Sequence, residues 1–225
     1  MGVLLYRKKG RMTMTIRKNT VYALFFYLAA LMSRSFFTLF DLSSEEVLNL
    51  VAVSYLVGAI LLLKVYRATE KEDRQLKVGK DWVRIGGYAM VGLVIALLLQ
   101  VMLVTLEHVL YSSGSVSQNT KAIVLLVKTS PWFLFAVTVA GPIMEELVFR
   151  FSLLHLFQEK LSWLMSALLS SVLFALLHQD GHYLLYTGLG FFFCWLYRQT
   201  KSIVTPMLVH IGMNGIVMMP QLFLI

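Results

Sequence analysis

Residues 141–150 read GPIMEELVFR, and the fold turns on how this stretch is read. Gly141 predicts a break in the preceding helix, and Pro142 suits the first turn of a new one. Glu145 and Glu146 then fall near that helix's N-terminus, where unpaired N–H groups and the dipole favour a carboxylate. Successive residues lie about 100° apart around a helix axis, so the two glutamates do not both point straight into one cavity. Arg150 follows Glu146 by four residues and shares its face. The simplest division pairs Arg150 with Glu146 and leaves Glu145 for another task, though the two roles could be exchanged. The alternative is a satisfied ion pair that only fixes packing. Against it, ionisable groups inside a membrane are functional suspects by default.

The surroundings of this stretch are those of a polytopic membrane protein. The 225 residues are 58% hydrophobic and only 14% charged, where globular domains have about a quarter charged. The net charge of +8 does not point to nucleic acid, because thirteen of twenty Lys and Arg residues fall at 7–18 and 64–84, each flanking an apolar segment. That is the positive-inside pattern, and it predicts a cytoplasmic N-terminus. The lone Cys194 excludes a disulfide and a thiolate metal cluster. The basic arm before Val21 lacks a small-residue cleavage pattern, so the first apolar run reads as an uncleaved span.

The apolar runs are too long and even for barrel strands, which leaves helices. Candidate spans cover 20–40, 47–64, 83–106, 122–140, 143–158, 162–177, 183–198 and 203–220. The fold class is therefore all-α, a transmembrane bundle of about eight spanning helices, with seven and one re-entrant helix as the alternative. A single integral-membrane domain over 1–225 is expected. The polar stretch 64–84 reads as a cytoplasmic connection, and the uncharged, turn-rich 111–120 as a loop on the opposite face.

Histidines follow in the later helices. SSVLFALLHQDGHY (170–183) puts His178 at the end of an apolar helix, with Phe174 one turn earlier as a packing partner or wall. MLVHIGMNGIVMM (207–219) puts His210 in mid-span, with Asn214 four residues on and on the same face. A buried imidazole and carboxamide both need partners, which suggests a polar cavity or a helix–helix hydrogen bond. His108, beside Glu107, reads as interfacial, and His155 as packing. His182 lies in a short turn with Asp180 close by, able to support His178.

A free carboxylate, imidazoles and an amide suit water activation. Glu145 could take a proton from water with His178 orienting it, while His210 and Asn214 donate to the developing oxyanion. Zinc held by Glu145, His178 and His210 is the rival chemistry, although no H-E-x-x-H is present. Serine chemistry lacks a G-x-S-x-G elbow, and Asp180 is the only aspartate after residue 81.

Taken in order, EELVFR, FALLH and HIGMN resemble the motifs of the CPBP family of intramembrane proteases, which includes CAAX prenyl-endopeptidase-like and bacteriocin-immunity-like members. The resemblance covers about 130–220. It implies a membrane endopeptidase of about eight helices whose site opens toward the cytoplasm. By the resemblance, Glu145 is the base, His178 its partner, and His210 and Asn214 the oxyanion pair, with Glu146, Arg150 and Phe174 supporting. No cofactor is favoured, and zinc is the alternative. A bacterial cell-membrane protein acting on a peptide or membrane-protein substrate is expected. The rival is a non-catalytic partner of a bacteriocin or its receptor.

Depth favours eight spans. If 143–158 did not cross, the helix after it would leave His178 on the face opposite Glu145, about 30 Å away. The cost of eight is that Lys160, Arg198 and Lys201 fall on the unfavoured side.

Overall fold

Gly141 and Pro142 do not end a helix. In the computed structural model, which describes residues 14–69, 82–111 and 118–223, one helix runs from Trp132 to Gln158 straight through them. The device that admits the proline is a widened turn. Pro142 has no N–H, and its ring would strike the carbonyl four residues back in a regular α-helix. Residues Ala136–Ala140 are instead π-helical, and Gly141 N–H reaches back five residues to Ala136 O. A second π-helical stretch covers Glu146–Leu153. π-Bulges of this kind cluster at functional sites.

The described elements are α1 (Ile16–Phe37), α2 (Ser44–Ala68), α3 (Trp82–Tyr111), α4 (Gln118–Thr129), α5 (Trp132–Gln158), α6 (Trp163–His178), α7 (Tyr183–Thr200) and α8 (Val204–Phe223). Four of them, α1, α2, α3 and α5, are long and apolar enough to cross a membrane. This corrects the expected eight spans, and the seven-span variant with it. The stretches 122–140 and 143–158 are not two spans. The first is split by a turn at Ser130–Pro131, and its second half is continuous with the second stretch. Further, α6 and α8 are apolar but short, and α7 ends in the polar run RQT at 198–200. The chain is an all-α, multi-pass membrane bundle. Sequences 1–13, 70–81 and 112–117, which carry the basic arm and most of the two expected loops, lie outside the described residues.

The bundle has two well-pinned ends. At the proximal end, Met14 N–H donates to Ala68 O at 2.8 Å, and Arg17 pairs with Glu159 at 2.7 Å. Arg84 there donates to Gln199 O at 2.9 Å, and Arg198 lies 4.2 Å over the Trp163 ring. At the distal end, Ser130 Oγ donates to Asn49 Oδ1 at 2.7 Å, joining the start of α5 to the start of α2. There too, Glu107 near the end of α3 accepts the N–H groups of Leu184 and Leu185 at 2.6 and 3.1 Å, capping the open N-terminus of α7. A capping box at Ser43 and Glu46 starts α2, and Ser162 caps α6.

With the ends fixed, α5 is the axis. Every residue from Glu146 to Leu153 is buried, so other helices and not lipid enclose this stretch. The close approach of α6 and α7 depends on Gly190, where a Cβ would stand 3.0 Å from Ser171 Cβ and 3.2 Å from its Cα. Gly190→Ala is expected to cost about 1–3 kcal/mol by overpacking, read as a lowered Tm in detergent. Gly86→Ala, which meets nothing within 4 Å, should leave the Tm unchanged or raise it slightly.

Candidate active site

On α5, the two glutamates part company. Glu146 is fully buried, while the Glu145 side chain keeps 18% of its surface and lines a cavity of about 340 Å³. Glu146 is spoken for on both oxygens. Oε2 lies 3.3 Å from Arg150 Nε, and Oε1 lies 2.8 Å from His210 Nδ1. Arg150, also fully buried, stacks its guanidinium 4.1 Å from the Phe174 ring centroid and 5.2 Å from that of Phe193. Ring faces thus replace water around this cation.

The same cavity is lined by His178, His210, Asn214 and Phe174. Hairpin geometry brings His178 there. Glu145 precedes Gln158 by 13 residues and His178 follows Trp163 by 15, so at 1.5 Å per residue each lies roughly 20 Å from the proximal turn. No second crossing is needed for them to meet. Glu145 is in the middle of its helix and not at an N-terminus, which corrects the reading of GPIMEE as a helix start.

Hydrogen bonds assign the imidazole tautomers. His178 Nδ1 lies 2.9 Å from Phe174 O, a carbonyl that can only accept, so Nδ1 carries the proton and Nε2 holds the lone pair. His210 Nδ1 likewise donates to the Glu146 carboxylate, and its Nε2 lies 3.6 Å from Glu145 Oε2. A neutral His210 is therefore an acceptor at Nε2, and it donates there only as the imidazolium. Phe193 stacks on the His210 ring at 5.0 Å and 28°.

Asn214 is held by the irregularity in α5. Gly141 N–H is used by Ala136 O and Pro142 has none, which leaves Val137 O without a helical donor. Asn214 Nδ2 donates to that oxygen at 3.2 Å. One amide hydrogen satisfies the backbone and the other remains for the cavity.

Several residues of the site lack any sequence signal. Tyr186 stacks on His178 at 3.7 Å and 20°, and its hydroxyl donates to Asp180 Oδ2 at 2.8 Å. The six-residue separation of Asp180 and Tyr186 matches no helical repeat. His182 does not support His178; its Nδ1 meets Glu107 Oε2 at 2.7 Å. A lone carboxylate in the apolar α3 was the available clue to that buried pair. His108 is exposed, and His155 packs between Phe151 and Tyr197.

Residues 127–216 match the family model described as type II CAAX prenyl endopeptidase Rce1-like. Over 173 residues the chain is 34% identical to YdiL of Bacillus subtilis (strain 168), named there as a candidate membrane peptidase, covering 76% of this chain and 70% of that one. The chain belongs to the CAAX-protease-like family. A second relative, the membrane-embedded CAAX protease MroQ of Staphylococcus aureus (strain USA300), is 29% identical over 185 residues, covering 79% and 73%. No solved structure matches the chain at a significant level.

For this CAAX-protease-like chain, the fit of a zinc ion can be judged from the donors. Among the described residues, no three His, Cys, Asp or Glu side chains converge at ligand spacing. His178 is tied to a backbone carbonyl and stacked under Tyr186, apart from the Glu145–His210 approach. As arranged, Glu145, His178 and His210 do not form a metal cradle.

Removing one partner of a buried ion pair strands the other, at about 3–5 kcal/mol. Arg150→Ala should therefore abolish stable folding. Arg150→Lys, which loses the flat face that stacks on Phe174 and Phe193, should lower the Tm by several degrees in a thermal melt. Pro142→Ala restores an N–H opposite Val137 O and should release Asn214 while the fold persists, with the Tm unchanged in the same melt.

Proposed function

We propose that the chain is an intramembrane endopeptidase that hydrolyses a peptide bond with water activated by Glu145. The observation that carries this reading is the division between neighbouring carboxylates. Glu146 is consumed by Arg150 and His210, while Glu145 faces a cavity beside an imidazole and an amide donor. A base must be reachable by its substrate, and Glu145 is the carboxylate that is.

In the proposed reaction, water sits between Glu145 and His178. One hydrogen points to the Glu145 carboxylate and the other to the His178 Nε2 lone pair, leaving an oxygen lone pair for the scissile carbonyl. Glu145 takes the first proton as the carbon–oxygen bond forms. The oxyanion accepts hydrogen bonds from Asn214 Nδ2 and from Nε2–H of His210 as the imidazolium. Glu145 then passes its proton to the leaving nitrogen as the carbon–nitrogen bond breaks. A peptide or membrane-protein segment is the substrate.

The test is cleavage of a membrane-peptide library by the protein in liposomes. Glu145→Gln should lower turnover by about 10²–10⁴-fold with an unchanged Tm, and Asn214→Ala by about 10²–10³-fold. Activity should survive thorough chelation; loss restored by zinc would require a metal-dependent mechanism. Full biological function in Glu145→Gln would instead assign the cavity to binding, as in a bacteriocin-immunity protein.

A further inference from the structure

One hydrogen bond does not fix where the Nε2 lone pair of His178 points. Donation from Nδ1–H to Phe174 O at 2.9 Å sets one direction of the ring. The imidazole can still roll about the line from that nitrogen to that oxygen, and a roll carries Nε2 away from its water. A catalytic partner must stay within hydrogen-bond reach. The ring face therefore needs a second restraint.

Tyr186 covers that face, its ring nearly parallel to the imidazole at 3.7 Å and 20°. Phe174 stands steeply inclined to both rings, 4.6 Å from His178 and 6.3 Å from Tyr186. Packing alone would need only the ring of Tyr186, yet its hydroxyl is anchored as well. It donates to Asp180 Oδ2 at 2.8 Å, and Asp180 Oδ1 accepts the N–H of His182 at 3.2 Å. Hydrogen bonds to a carboxylate are stronger than those between neutral groups, so the phenol is held against sliding.

The anchor is itself held. Left-handed Gln179 (φ 51°) and Gly181 (φ 84°) fold the turn so that Tyr186 of α7 lies over His178 of α6. From α3, Glu107 Oε2 meets His182 Nδ1, and its Oε1 accepts the N–H groups of Leu184 and Leu185. Restraint thus passes from α3 to the turn, then through Asp180 and Tyr186 to the imidazole.

We propose that Tyr186, anchored by Asp180, is a positioning residue that holds His178 Nε2 toward the water shared with Glu145. The role rests on the hydrolytic reading above and is exerted wholly through His178. Tyr186 also lines the cavity, so the rival role is a wall that touches substrate. The two differ kinetically: lost uniform binding raises KM, whereas lost positioning lowers kcat.

Kinetics of the full chain in liposomes, on a library peptide that it cleaves, separate these roles. Tyr186→Leu should lower kcat by about 10²-fold, the scale of an ångström of misplacement, with KM and Tm unchanged. Tyr186→Phe keeps the ring but loses its anchor, and should lower kcat less. In a His178→Gln background neither substitution should slow the residual rate further, because both act through that imidazole. A raised KM at unchanged kcat, or an additive loss in the His178→Gln background, overturns the proposal. A second readout needs no activity. In detergent, NMR of the isotope-labelled histidines gives the His178 ring signal, assigned by its loss in His178→Gln. That signal should move in Tyr186→Phe and in Asp180→Ala, and an unmoved signal in both overturns the anchoring. If the parent chain cleaves no peptide, the hydrolytic reading falls, and the His178 signal still decides whether Asp180 and Tyr186 fix the ring.

Discussion

Neither water nor lipid is available to the Glu146 carboxylate and the Arg150 guanidinium, and each ion would cost several kcal/mol to bury alone. They must neutralise one another, and the remaining donors and acceptors must be met by protein. The 3.3 Å contact between them meets part of this demand. While the guanidinium nitrogens of Arg150 make no hydrogen bond among the described residues, the Phe174 and Phe193 rings cover the guanidinium and His210 Nδ1 serves the other carboxylate oxygen. Those groups come from α6, α7 and α8, so one ion pair on α5 draws three helices round it. The central place of α5 follows, and with it the burial of eight successive residues.

The proline in α5 does comparable work through the backbone. It forces a wide turn, the wide turn leaves Val137 O without a donor, and that oxygen orients Asn214 from α8. A local irregularity is thereby turned into a tertiary contact. The proposed chemistry would use the two polar results of these constraints: a base left over from the ion pair, and an amide hydrogen left over from the orphaned carbonyl.

Distance from the proximal turn, and not the number of crossings, sets the depth at which Glu145 and His178 meet. An antiparallel hairpin of α5 and α6 places residues of equal separation from the turn side by side. The cavity then lies in the distal half of the bundle, away from the strongly basic end.

Much was legible in the chain alone. The all-α class follows from long apolar runs, because a backbone in lipid must satisfy its own hydrogen bonds. The polar residues that line the cavity were also visible, since Glu145, His178, His210 and Asn214 are expensive in such surroundings and stand out against them. Tertiary structure decided what hydropathy could not. Whether Gly141-Pro142 ends a helix or widens one depends on what packs beside it, here Asn214 on the freed carbonyl, so the number of spans was not readable from the local pattern. Tyr186 and Asp180 met because of a turn between helices, and Glu107 met His182 across 75 residues. No sequence period records such contacts. Composition limits which groups must be hidden from lipid, while only packing determines which partners hide them.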